Sequence, residues 1–175
     1  MPEEDLRYPI GPFRFEAGAA ETALWIAQIE EAPGMLRTAV DGLTAEQIDT
    51  PYRTGGWTVR QVVHHLPDSH LNAYVRFRLA LTEDEPTIKP YEQERWAELA
   101  DARSAPIEMS LALLESLHRR WTLLLRSLGP EDFRRAFRHP ELGVVTLEKN
   151  LAIYAWHGRH HIAHITSLRN RMGWR

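Results

Sequence analysis

The chain has 175 residues, of which 43% are hydrophobic and 26% charged, with a formal net charge of −3. That is the composition of one ordinary globular domain with a sizeable core, and it provides no basic field for nucleic acid or an anionic membrane. With no cysteine, disulfides, thiolate ligands, iron–sulfur clusters and a Cys nucleophile are excluded, so any metal must be held by His and carboxylate. No apolar run approaches the ~20 residues of a membrane span. The start Met-Pro-Glu-Glu-Asp does not read as a signal peptide, and the cytoplasm is the expected compartment.

Residues 1–20 carry prolines and glycines, including Tyr8-Pro9-Ile10-Gly11-Pro12. They predict an extended arm over the surface, anchored by Tyr8, Phe13 and Phe15. A first helix is expected from about Thr22 to about Leu43, kinked or broken at Pro33-Gly34. Thr44 to Gln47 reads as a cap and a short helical turn. The second helix begins at Thr58, with Gln61 completing a capping box. Val59, Val62, Val63, Leu66, Ala73, Phe77 and Ala80 form its apolar stripe, and Pro67 predicts a kink within it. On an ideal wheel His64 points away from that stripe, His65 lies at its margin and His70 lies within it.

Residues 82–100 form a long polar crossover with a short helix near Glu92–Leu99. Its length allows the second and third helices to run parallel. The third helix spans about Pro106 to Leu128, with an apolar stripe that includes Leu111, Leu114, Leu117, Trp121, Leu124 and Leu125. His118 on this helix packs against the core. Gly129-Pro130 ends the helix. A short helix follows over Pro130–Phe137, then a turn at His139-Pro140-Glu141-Leu142-Gly143 with His139 in solvent, then a brief extended stretch at Val144-Val145. The last helix starts at Thr146 and ends near Met172-Gly173. Four long helical patterns without sustained β alternation predict an all-α protein, a four-helix bundle in a single domain.

Four of the nine histidines fall between His157 and His164. On a helix with His157 at zero, His164 lies about 20° to one side, His161 about 40° to the other, and His160 about 60° round. Ile153, Tyr154, Ile165 and Leu168 share or border this face, which makes it the inward one. Imidazoles one turn apart can converge on one ion, and two such pairs exist, His157/His161 and His160/His164. Spacing does not choose between them. A third ligand must come from another helix, His65 first and His70 second. Asp68 is a candidate acceptor for an imidazole N–H. The pattern lacks the Glu that follows a ligand His in zincins, so no general base can be read from it.

The stretches Gly56-Trp57-Thr58-Val59-Arg60-Gln61-Val62-Val63-His64-His65, Asp68-Ser69-His70 with Asn72, and Tyr154-Ala155-Trp156-His157 through His164-Ile165 resemble the YfiT branch of the DinB superfamily. Tyr8-Pro9-Ile10-Gly11, Pro51-Tyr52-Arg53, His118 with Arg120-Trp121, and Arg171-Met172-Gly173-Trp174 extend the resemblance over nearly the whole chain. One departure is Pro67, where the family commonly has Ala. The resemblance implies a four-helix bundle and one divalent metal per subunit, zinc or nickel, on His65, His160 and His164. It leaves His157 and His161 beside the site rather than on the ion. It further implies a homodimer acting on a small molecule, either as a hydrolase or as a thiol S-transferase that uses a low-molecular-weight thiol such as bacillithiol. A third expectation, from a different class, is a non-enzymatic metal-binding stress protein with a site closed by a fourth protein ligand.

Overall fold

The computed structural model describes residues 6–16 and 18–174. Residues 1–5 and 17 of the expected arm therefore lie outside the described residues. Four long helices carry the fold: α1 (Ala19–Val40), α3 (Val59–Thr82), α6 (Ile107–Arg126) and α8 (Leu147–Met172). Short helices α2 (Ala45–Ile48), α4 (Gln93–Trp96), α5 (Ala100–Ser104) and α7 (Pro130–Arg134) punctuate the connections. Strands β1 (Ala136–His139) and β2 (Gly143–Thr146) form an antiparallel hairpin in which Phe137 pairs with Val145. The hairpin was expected only as a turn and a brief extension, and Ala136 and Phe137 were expected in the preceding short helix, which instead ends at Arg134. The hairpin is held from outside, because Arg138 donates to Pro86 O and accepts from Ile88 N in the crossover.

Helix directions follow from side-chain contacts. His64 meets Ser110 and His70 meets His118, so α3 and α6 run parallel, as the long crossover allows. Gly18 N donates to Glu148 and Arg169 donates to Ala39 O, so α1 and α8 are parallel as well. His65 faces His161 while His70 faces His157, which sets α3 antiparallel to α8. The core lies between these helices, with Trp121, Phe77, Phe137, Leu36, Leu66 and Ile165 fully buried.

Both proline-bearing helices run on through their prolines: α1 includes Pro33 and α3 includes Pro67. Each proline leaves the carbonyl four residues earlier without its helical donor. For Pro33 that carbonyl belongs to Ile29, and a side chain from another helix occupies it, as described below. The α3 capping box is formed as expected: Thr58 Oγ1 accepts from Gln61 N at 3.1 Å, and Gln61 Oε1 accepts from Thr58 N at 3.0 Å. Gln61 also donates to Ala97 O at 2.8 Å, tying the crossover to the start of α3. Thr58→Ala is expected to cost about 1 kcal/mol, read as a lower urea midpoint with an unchanged slope. An unchanged midpoint would show that the cap does not stabilise this helix.

The N-terminal arm crosses the open side of α8. Trp156 Nε1 donates to Gly11 O at 3.2 Å, and His164 Nε2 donates to Arg7 O at 3.1 Å. Phe13 meets Trp156, Phe15 meets Trp25, and Tyr8 meets His160. The three expected aromatic anchors thus each touch a ring of the bundle.

Candidate metal centre

Three histidines on two helices converge beneath the arm. His65 on α3 and His157 and His161 on α8 place one ligand atom each within 4.8 Å of one another. His65 Nε2 stands 3.2 Å from His157 Nε2. Two nitrogens bound to one tetrahedral zinc at ~2.0–2.1 Å would stand about 3.3 Å apart, so this pair already has the separation of co-ligands. His161 Nδ1 is buried with no hydrogen-bond partner, as are His160 Nδ1 and His164 Nδ1. The donor set is all-imidazole, which suits zinc or nickel.

The trio implied by resemblance is not a group of this kind among the described residues. His164 turns its Nε2 to the Arg7 carbonyl and stacks on Tyr52, with ring centroids 4.0 Å apart. A carbonyl only accepts, so that nitrogen carries a proton and the lone pair of His164 is on Nδ1, which is buried without a hydrogen-bond partner. His160 stacks on Trp156 at 4.3 Å. Both line the same cavity without sharing a point with His65. The structure thus groups His157 and His161 with His65, while His160 and His164 pack against the arm and its aromatic neighbours.

Three other expectations are corrected. Among the described residues, the Asp68 carboxylate bonds to no imidazole. Burial and the nearby Asp101 instead push its carboxyl up to about 6. His64, expected to point away from the core, is only 6% exposed. Its Nδ1 meets Ser110 Oγ at 2.7 Å and its Nε2 meets Ala105 O at 3.1 Å, because the start of α6 covers that side of α3. His139, expected in solvent, is buried on β1, where its Nδ1 accepts from Glu141 N.

Every imidazole at the centre is held neutral. Burial, helped by the neighbouring His164, pushes His65 down to about 3. Burial likewise pushes His160 and His164 to about 4. His157 and His161 lie well below the usual range, again from burial first and then from neighbouring imidazoles. Neutral imidazole is the form that ligates. The cavity above the trio has a volume of about 460 Å³, and its rim includes Arg7, Arg53, Gln61, Glu94 and Glu98. Trp57 forms one wall, 4.7 Å from the His65 ring and stacked 6.1 Å from His161, with its Nε1 held by Glu94 Oε2 at 3.1 Å. Gly56 lets the preceding loop close here: a Cβ on it would stand 2.8 Å from the Arg53 side chain and 3.0 Å from Tyr52.

A family model for the DinB superfamily matches residues 28–165. The chain belongs to the DinB superfamily. It is 56% identical over 172 residues to a protein of Bacillus cereus (strain 03BB102) described as "Putative metal-dependent hydrolase", covering 97% of this chain and 99% of the relative. A protein of Bacillus mycoides (strain KBAB4) with the same description is 55% identical over 173 residues, covering 98% and 99%. Among solved structures, YfiT from Bacillus subtilis is 52% identical and superposes with a TM-score of 0.94, covering 98% of this chain and 99% of that one. It is described as a probable metal-dependent hydrolase with an unusual four-helix bundle topology. A second solved four-helix bundle protein, at 20% identity and a TM-score of 0.56 over 81% of this chain, shares the fold. The four-helix bundle of the superfamily is thus the architecture of this chain, and the convergent histidines occupy its core. No helix among the described residues is long and apolar enough to cross a membrane.

Proposed function

We propose that this member of the superfamily is a hydrolase of small molecules that binds one divalent ion, zinc or nickel, on His65, His157 and His161. The observation that carries the reading is the approach of these three neutral imidazoles from two helices, with His157 and His161 lining a cavity. The descriptions of relatives at 55–56% identity support a metal-dependent hydrolase in particular. Bound there, a divalent ion supplies Lewis acidity and lowers the pKa of a coordinated water toward 7. Three protein donors, His65, His157 and His161, would hold the ion, the number typical of catalytic rather than structural sites.

The chain's own residues supply the rest. Burial keeps the imidazoles unprotonated, so their lone pairs are available near neutral pH. Trp57 covers one side of His65 and His161 and limits the approach of bulk water. A cavity of about 460 Å³ suits a small ligand, and its rim presents both signs of charge, with Arg7 and Arg53 against Glu94 and Glu98.

The test uses untagged full-length protein loaded with zinc or nickel and a panel of model esters and amides. Hydrolysis is expected to fall to background on chelation and to return with either metal. A parallel reaction contains a low-molecular-weight thiol and an electrophile. Conjugate in excess of hydrolysis product would move the assignment to thiol S-transfer on the same three ligands. Turnover indifferent to chelation would sink the metal-dependent reading.

A further inference from the structure

Two buried histidines behind the centre are used by nothing described so far. His70 is 0% exposed and His118 is 1% exposed. They lie in line with His157. His118 Nδ1 meets Ile29 O at 2.5 Å, His118 Nε2 meets His70 Nδ1 at 2.8 Å, and His70 Nε2 meets His157 Nδ1 at 3.2 Å. The line starts at the carbonyl that Pro33 leaves without a helical donor. From there every proton can be assigned. A carbonyl can only accept, so His118 Nδ1 carries the hydrogen. A neutral His118 then offers Nε2 as acceptor, so His70 Nδ1 donates. A neutral His70 offers its own Nε2, so His157 Nδ1 donates. His157 is left with its lone pair on Nε2, the atom 3.2 Å from His65 Nε2.

We propose that the Ile29 carbonyl (freed by Pro33), His118 and His70 form a hydrogen-bonded positioning chain that fixes His157 as the Nδ1–H tautomer, with its Nε2 lone pair turned toward His65. The role of this chain in holding an ion rests on the function proposed above; the tautomers do not. Neutrality of the two inner rings follows from their enclosure, and no carboxylate bonds to either among the described residues. Burial also pushes His118 down to about 4 despite its bond to Ile29 O. The chain is packed as well as bonded. Gly158 brings α8 against it, and a Cβ there would sit 3.5 Å from His70 Cε1 and 3.4 Å from the Ala32 Cβ on α1. Tyr154 and Trp121 meet the His70 ring edge-on, leaving it little room to flip. Pro33 thus has a role that a helix interior otherwise argues against: it frees a fixed acceptor that orients three rings in sequence.

Long-range ¹H–¹⁵N correlation spectra of the metal-free full-length protein test the chain directly. The expected pattern is protonated Nδ1 and unprotonated Nε2 at His118, His70 and His157. A protonated Nε2 at His118 or His70 overturns the proposal. His118→Phe removes the anchor while keeping the ring volume. His157 is then expected to show mixed tautomers, and zinc affinity, read by competition with a chromophoric chelator, is expected to weaken about tenfold. The double variant His118→Phe/Pro33→Ala restores a backbone N–H for the Ile29 carbonyl. Its melting temperature is expected to recover while its zinc affinity stays weak, a split that a purely structural role does not produce. Recovery of both together, or no change in either tautomer or affinity in His118→Phe, overturns the positioning role. A wild-type protein with the expected tautomers that binds no zinc keeps the chain and sinks the hydrolase reading instead.

Discussion

Replacing His65, His157 or His161 singly with Ala is expected to weaken zinc or nickel binding by more than about 100-fold, beyond what the loss of an outer hydrogen bond costs. His160→Ala and His164→Ala are expected to stay within about tenfold of the wild type. The asymmetry comes from where the nitrogens are committed. His164 Nε2 already donates to the Arg7 carbonyl, and the His164 ring lies flat on Tyr52. The trio shares one point, with a 3.2 Å approach between two Nε2 atoms. Removing one ligand leaves two imidazoles on a site that needs at least three protein donors. Isothermal titration of untagged protein at neutral pH separates the sets. Retained affinity in His157→Ala with lost affinity in His164→Ala would restore the ligands implied by resemblance and refute those assigned from geometry.

The two i,i+4 pairs show where sequence reading ends. Helical spacing brings His157 near His161 and His160 near His164 equally well, and both pairs fall on the inward face of α8. What distinguishes the two pairs lies far away in sequence: the Arg7 carbonyl on the arm and Tyr52 on a loop meet His164, and His65 on α3 meets His157 and His161. No local pattern encodes those positions. The capping boxes at Thr44 and Thr58 were legible because all their atoms lie within four residues. The four long helices were legible because their apolar stripes repeat over several turns. The hairpin was not, because four-residue strands carry too little alternation. His64 was misplaced because its wheel position is polar on α3 alone and becomes internal once the N-terminus of α6 arrives. Pro33 is the sharpest case. Read locally it predicts a kink or break. In the fold the helix runs on from Ala19 to Val40, and the acceptor that Pro33 strands is taken by His118, 89 residues away.

Stability is expected to fall steeply as pH drops below about 6.5, more steeply than for a helix bundle of this size without buried histidines. Burial depresses the folded-state values of His65 to about 3 and of His118 to about 4. In the unfolded chain each returns to about 6.5. Between those limits the unfolded state binds more protons, so stability rises with pH. The contribution is fully present above pH 6.5 and is lost progressively as pH falls toward the folded-state values. At pH 5 each of these two enclosed rings costs ~2 kcal/mol, from about 1.4 kcal/mol per pH unit. His160 and His164 are depressed to about 4 as well but face the cavity, where solvent access reduces their share. Asp68 acts in the opposite sense. Its folded-state carboxyl at about 6 takes up a proton that the unfolded chain does not hold until lower pH, so below about pH 6 it offsets part of one histidine's loss, reduced by the solvent access of a half-buried group. A net loss of a few kcal/mol is measurable against a total stability of ~5–15 kcal/mol. Urea midpoints measured from pH 8 to pH 5 are expected to hold above 6.5 and then decline. Saturating zinc should delay the decline, because an ion on His65, His157 and His161 excludes protons from them, while His118 continues to titrate as before. A flat midpoint from pH 7 to pH 5 would mean that these rings gain no protons on unfolding, and that the buried, neutral cluster described above is not the state of the protein in solution.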